Sequence, residues 1–409
     1  MGYRNLMPAM DECHSIDSSP ALRTWLLTFA VAVVGCNSLV LSPILTDVAR
    51  DFVATPAQTA RAIAGFGGMT ALSAFFFARQ IDRIGPWQVL VTGMTVAIMA
   101  IGASAAATSW PILALAQGVA GLGAGLVLPA TYHMATSVST GDTGPRVVGR
   151  VLAGWSLSMV LGVPAAALLT DLLGWRSVFL VLAALGLMLL VGFIAKLPRP
   201  TRHPDATHEG RLAPLKVPTV PVLLVTCFAF MIGFYGVYPF VGDHLRQSHG
   251  ISATMAGMFV LTYGVGFGLA SLAVGVVVRV GARRLFLAVL FAVAVTYALL
   301  IVATNALWST LLLSALWGFG NHFGLNTLVM QLSRADPSRR GAILGLNSAV
   351  TYVASFVAAS VFGEVYTEIG FAAICWMACL SLVCGALLVI VALPTRQNAD
   401  RSLPGQGSA

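Results

Sequence analysis

Charge is what this chain has least of. Only 9 % of its 409 residues are Asp, Glu, Lys or Arg, against 58 % apolar, and its mean hydropathy is +0.87. A soluble domain carries about 25 % charged residues, and a soluble chain of this length would need a charged skin that these residues cannot make. Lysine occurs only at Lys196 and Lys216, so the net charge of +8 rests on arginine. The arginines lie in small groups between apolar runs, which fits membrane topology and excludes nucleic acid as a partner. None of the six cysteines forms a C-x-x-C, and no Cys/His spacing suits zinc, so neither metal nor cofactor is expected. The glycine runs 121–125 and 264–268 lie inside apolar stretches with no preceding strand, which excludes a nucleotide loop. Residues 1–21 carry Asp11, Glu12 and Asp17 and lack an apolar core, so no cleavable signal peptide is expected there.

What the chain does have is apolar runs of spanning length. They fall near 24–45, 57–77, 87–108, 110–136, 147–172, 176–197, 218–242, 252–277, 285–304, 307–332, 341–363 and 369–394. Crossing a hydrocarbon layer takes roughly 20 apolar residues per helix, so twelve transmembrane helices and an all-α membrane protein are expected. With the N-terminus in the cytoplasm, nineteen Lys and Arg fall on inside segments and four (Arg50, Arg61, Arg176 and Arg246) fall outside. That bias predicts both termini cytoplasmic.

Residues 198–217 are proline-rich and mixed in charge, and read as a linker. They divide the chain into a cytoplasmic tail 1–21, a six-helix bundle 22–197, the linker, a second bundle 218–394 and a cytoplasmic tail 395–409. A repeat supports the division. Asp82-Arg83-Ile84-Gly85 has a counterpart in Val278-Arg279-Val280-Gly281, and Gly174-Trp175 in Gly370-Phe371, both at an offset of 196. Parallel six-helix repeats are the layout of one large transporter class.

Three local motifs sharpen this. After the second span stand Asp82, Arg83 and Gly85; in the fifth, Gly154, Gly162 and Pro164, followed by Gly174, Trp175 and Arg176; in the fourth, Gln117 and Gly118. With the twelve spans, these residues resemble the major facilitator superfamily, and within it the twelve-helix drug:proton antiporters and their sugar- and nucleoside-exporting relatives. The resemblance implies a major facilitator fold of two pseudo-symmetric six-helix bundles. It implies a conformational latch at Asp82, Arg83 and Gly85, and an antiporter-like motif at Gly154, Gly162 and Pro164. The chain departs from the family pattern at four points, one being Ala166, where the antiporter motif usually has glycine. Ala78 replaces the first glycine of the latch loop, Pro86 and Trp87 replace its trailing basic pair, and Ala114 replaces the arginine that precedes Gln117.

Polar residues inside the membrane are costly and mark functional sites by default. Asn37 lies about 18 Å beyond Trp25, near the midplane, and His322 about 21 Å beyond Trp308. The resemblance places the cavity between helices 1, 4, 7 and 10, which implies Asn37, Gln117, Tyr132, Tyr235, Tyr238, Trp317, Asn321, His322 and Asn326 as substrate-binding residues; Asn347 and Tyr352 on the eleventh span join them as one polar face with Thr351. None of the fifteen acids is clearly central in a helix, so an uncharged, zwitterionic or amphipathic small molecule is the expected substrate. Histidine changes charge nearest neutral pH, which makes His322 the first proton-coupling candidate, with Asp243 and Asp47 at the outer helix ends after it.

The reading is therefore a monomeric secondary transporter, not an enzyme, in the inner membrane of a bacterium. It would export its substrate on the proton gradient by alternating access. An importer or uniporter of a sugar, nucleoside or organic acid is the second reading, and a non-transporting membrane sensor the third.

Overall fold

The computed structural model describes residues 19–137, 144–199, 212–272 and 282–392, without the side chains at 78–82, 136–137, 144–146, 272 and 282. Among the described residues there is no strand. All twelve expected spans are helices. In chain order they are α1 (Pro20–Leu39, continued by Leu41–Asp51), α2 (Pro56–Ile84), α3 (Pro86–Ala105), α4 (Trp110–Ser137), α5 (Gly144–Leu157, Ser158–Gly162 and Val163–Leu173), and α6 (Trp175–Lys196). The second half holds α7 (Thr219–His249), α8 (Ala253–Leu272), α9 (Ala282–Ala303), α10 (Leu307–Ala335), α11 (Arg340–Glu368) and α12 (Phe371–Ala392). Of the expected linker and tails, residues 200–211, 1–18 and 393–409 lie outside the described residues, as does 278–281 of the repeat; Ala213–Lys216 form a short 3₁₀ turn.

Eleven of the twelve are long and apolar enough to cross a membrane. The twelfth is α10, 29 residues long, in which Asn321, His322, Asn326 and Gln331 interrupt the apolar pattern. Several helices outrun their apolar windows: α2 reaches Ile84, α7 His249 and α11 Glu368. A helix does not end where hydrocarbon ends; it ends where a turn residue stops it.

Those stops are visible. Gly85, Gly174 and Gly370 have φ of 94°, 82° and 115°, a region that side-chain-bearing residues avoid. Gly174 and Gly370 are the repeat-related pair, so the two halves turn into their sixth helices by the same device. Breaks within spans follow proline. Pro43 lacks an N–H and crowds the carbonyl of Leu39, and α1 is interrupted at Val40. Pro164 crowds Val160 in the same way, and Ser158–Gly162 widens into a π turn.

Each half packs by small residues. A Cβ added at Gly121 on α4 would be driven into the carbonyl of Phe66 on α2, and one at Gly318 on α10 into that of Tyr263 on α8. These are corresponding contacts in the two bundles. Such close approach is how membrane helices gain dispersion energy without a hydrophobic drive. Around them, α4 sits between α2 and α3, α10 between α8 and α9, α1 against α5 and α6, and α7 against α11 and α12. The halves meet along α2 with α11, α5 with α8, and the second piece of α1 with α7.

Candidate functional site between the two bundles

The halves are joined at one end. Call the end with residues 19, 199, 212 and 392 the terminal end, and the opposite one the far end. Among the described residues, the hydrogen bonds and ion pairs that cross between the halves all lie toward the far end. Ser42 Oγ donates to the Tyr238 carbonyl (2.8 Å), and Thr46 Oγ1 to Asp243 Oδ1 (2.7 Å). Arg246 forks onto both oxygens of Asp47 and reaches the Pro43 carbonyl at 3.3 Å. Arg61 pairs with Glu364 at 2.9 Å, and Asp171 accepts from the amides of Ala253 and Thr254 at the start of α8 (3.0 and 2.7 Å).

Asp243 is the centre of this seal. It is 1 % exposed and accepts from Thr46 across the interface, from Gln247 on its own helix (2.7 Å) and from Tyr366 on α11 (2.8 Å). Its two oxygens thus meet three donors, one from the first half and two from the second. Its neighbour pair Asp47–Arg246 is 23 % and 9 % exposed, so it is largely desolvated. Sequence reading placed both acids at the outer helix ends but missed Thr46, Tyr366, Arg246 and Gln247 as partners. One signal was available. Ser42 and Tyr238 are 196 positions apart and Thr46 and Asp243 197, which is the repeat offset. Residues that a pseudo-two-fold relates meet each other when they lie near the axis, as in an isologous dimer contact.

Toward the terminal end from the seal stands an aromatic group. Tyr132 of α4 and Tyr235 of α7 are half-buried, and Tyr352 of α11 lies within electrostatic reach of both. Trp155 of α5 donates to the Tyr132 hydroxyl at 3.2 Å. Cys227 and Thr351 lie 3.6 Å apart beside them, and the buried Oδ1 of Asn347, one turn away, has no partner. Three tyrosines, the Thr351 hydroxyl and the Asn347 amide are thus brought together by α4, α7 and α11, from both bundles.

Other expected site residues lie elsewhere. Asn37 and Gln117 are 2 % and 1 % exposed and bond each other, with Asn37 Nδ2 donating to Gln117 Oε1 at 2.9 Å; Gln117 Nε2 also reaches Ser104 of α3 at 3.0 Å. This ties α1, α4 and α3 within one bundle. Trp317 and Tyr238 belong to a buried cluster with Phe234, Phe259 and Tyr263, ring centroids 4.9–6.1 Å apart, and Asn321 donates to the Tyr263 hydroxyl at 2.8 Å. Tyr263 was not singled out from sequence. His322 is half-buried against Phe267 of α8 (4.7 Å) with its Nε2 2.8 Å from Asn326 Nδ2, and Asn326 is exposed.

At the expected latch, the Asp82 side chain lies outside the described residues; Arg83 is exposed and Gly85 makes the turn. The antiporter-like motif contacts both neighbours. A Cβ at Gly154 would meet the Thr28 carbonyl of α1, one at Gly162 would meet Cys36 at 3.1 Å, and Met159 packs under Gly264 of α8. Among the described residues no group of His, Cys, Asp or Glu could hold a metal.

With this geometry in hand, comparisons with known proteins are specific. The family model described as Major Facilitator Superfamily matches residues 27–242 and again 222–408. The chain is 28 % identical over 400 residues to an uncharacterised MFS-type transporter, YwfA, of Bacillus subtilis, covering 94 % of this chain and 96 % of that one. It is 24 % identical over 374 residues to a probable sugar efflux transporter of Pasteurella multocida, covering 89 % and 91 %. To a chloramphenicol resistance protein of Streptomyces lividans it is 24 % identical over 250 residues, covering 60 % and 64 %.

Proposed function

The chain belongs to the major facilitator superfamily and is a multi-pass membrane transporter, and we propose that it exports a small uncharged or amphipathic molecule against a proton gradient. The observation that carries alternating access is the one-sided seal: polar contacts close the far end, while Tyr132, Tyr235 and Tyr352 lie between the halves beyond it. With both termini cytoplasmic in a bacterial inner membrane, this is the conformation that loads from the cytoplasm. Single-cysteine labelling tests the orientation. A cysteine at Ser248 reacts with an impermeant maleimide from outside intact cells and one at His208 does not; the reverse pattern contradicts it.

Substrate recognition rests on Tyr132, Tyr235, Tyr352 and Asn347. They offer ring faces and an amide but no charge, which suits a molecule with a flat apolar face and a hydrogen-bonding group. The similarity to a probable sugar efflux transporter and to a chloramphenicol resistance protein favours export. Tyr352→Ala removes a ring face and one hydroxyl, and about a tenfold rise in KM is expected of the folded fraction; because the side chain is 7 % exposed, the folded yield falls as well. Energised cells carrying the protein hold less substrate than cells without it; accumulation instead would mark an importer.

For the proton, the three candidates differ in setting. Asp47 is held by Arg246, and His322 sits within the second bundle. Asp243 is contacted from both halves, so it changes partners whenever the seal opens. It is the favoured coupling group. His322→Gln then retains pH-driven efflux, and its loss in that variant would move the role to His322.

A further inference from the structure

We propose that the groove between α1 and α5 at the terminal end holds one anionic phospholipid, with an acyl chain along α5 and the phosphate against Arg150. The groove has a volume of about 470 Å³, and Trp25 and Leu161 on its walls are 57 % and 61 % exposed. Its α5 wall is Arg150, Ala153, Leu157 and Leu161, spaced three, four and four residues apart and thus one stripe. Its α1 wall includes Trp25 and Thr28.

The floor exists because Gly154 lets α5 close onto the Thr28 carbonyl, and Thr28 Oγ1 donates to the Arg150 carbonyl at 3.3 Å, which fixes the register of the two helices. Ala153, with the smallest side chain on the stripe, leaves the space. From Arg150 to Leu161 the stripe runs about 16 Å along the helix. Half of a hydrocarbon layer is about 15 Å, so the groove has the depth of one leaflet. It begins at the level of an interface and ends near the midplane.

The charge identifies the headgroup. Arg150 is exposed, and among the described residues its guanidinium has no hydrogen bond or ion pair. At the level of an interface the group that the bilayer supplies to a cation is a lipid phosphate. Trp25, 57 % exposed at the same level, is the residue type that sits among headgroups. An uncharged occupant would leave Arg150 without a role.

The test is native mass spectrometry of the full chain, released from mixed vesicles of phosphatidylglycerol and phosphatidylcholine with identical chains. One retained phosphatidylglycerol is expected, preferred about fivefold, the worth of a single basic residue near the surface. Arg150→Gln removes the preference and keeps lipid binding. Ala153→Trp fills the groove and loses the retained lipid of both kinds, while Leu187→Trp on the exposed face of α6 leaves it. Equal retention of the two lipids by the unmodified chain overturns the proposal, as does an unchanged preference in Arg150→Gln. Should Ala153→Trp fail to fold, Arg150→Gln alone decides.

Discussion

Asp243→Asn opens the far end. The carboxylate takes one donor on Oδ1 and two on Oδ2, at 2.7, 2.7 and 2.8 Å. Asparagine keeps the shape but loses the charge: its carbonyl oxygen still accepts from Gln247 and Tyr366, while its NH₂ can only donate to Thr46 Oγ1, which turns from donor to acceptor. A hydrogen bond to a charged group is worth about 1.5–3 kcal/mol. Of the three only the Thr46 bond crosses between the halves, and exchanging it for a neutral bond worth about 0.5–1.5 kcal/mol shifts the balance between sealed and open far end roughly 5- to 10-fold toward open. The substitution acts at the junction and not in the core of either bundle, so folding and insertion are retained. Net export falls several-fold, because the loading conformation is depopulated. Reactivity of a cysteine at Ser42, a residue of the seal that is 2 % exposed, reads the shift: labelling from outside is higher with Asp243→Asn than with Ser42→Cys alone. Unchanged labelling and unchanged export would reduce Asp243 to a structural polar group. Arg246→Ala strikes the same seal through Asp47. Breaking a largely buried pair leaves an uncompensated charge, at about 3–5 kcal/mol, so this variant is the more open of the two.

Gly318→Ala and Gly266→Ala prevent proper assembly of the second bundle. The new methyl would be driven into the Tyr263 carbonyl in the first case and the Ala315 carbonyl in the second. Backbone cannot rotate aside as a side chain can, so α8 and α10 must separate along their contact. Overpacking usually costs about 1–3 kcal/mol, and a clash of main chain with main chain lies at or beyond the upper figure. Folded yield and the midpoint of thermal aggregation in detergent drop together. Gly149→Ala and Gly345→Ala are the controls. Nothing lies within 4 Å of an added Cβ at either position, and alanine is the better helix former, so they stay within about 1 kcal/mol of the parent. Equal behaviour of the two sets would show that α8 and α10 are farther apart than described.

How much of this was legible in the sequence depends on the range of the contact. The spans follow from apolar run length, a local property, and all twelve were placed. The repeat follows from glycine turns, and Gly174 and Gly370 indeed share a left-handed backbone. The bend at Ser158–Gly162 goes with Pro164 of the antiporter-like motif, where the resemblance implies one, whereas the break at Val40 follows from Pro43 and escaped notice because apolar periodicity runs straight through it. The site was harder. Counting residues along a helix gives depth, and it put Asp47 and Asp243 toward the same ends of their helices. It does not give azimuth, so it could not say that Asp243 looks across at Thr46 while Asn37 looks sideways at Gln117. Partners some 200 positions apart are invisible to local pattern. Only the repeat offset, applied to residues near the axis, would have paired them.

The claim that the two bundles alternate about a seal centred on Asp243 is tested most directly by paired spin-label distances in the reconstituted protein. One pair, Val53 with Ser248, spans the far end, and the other, His133 with Arg334, spans the terminal end. In the parent at neutral pH the account predicts a short far-end distance and a long terminal-end distance. In Asp243→Asn the first lengthens and the second shortens in the same molecules. If both distances move in the same sense, or neither moves, the two ends are not coupled and the account is contradicted.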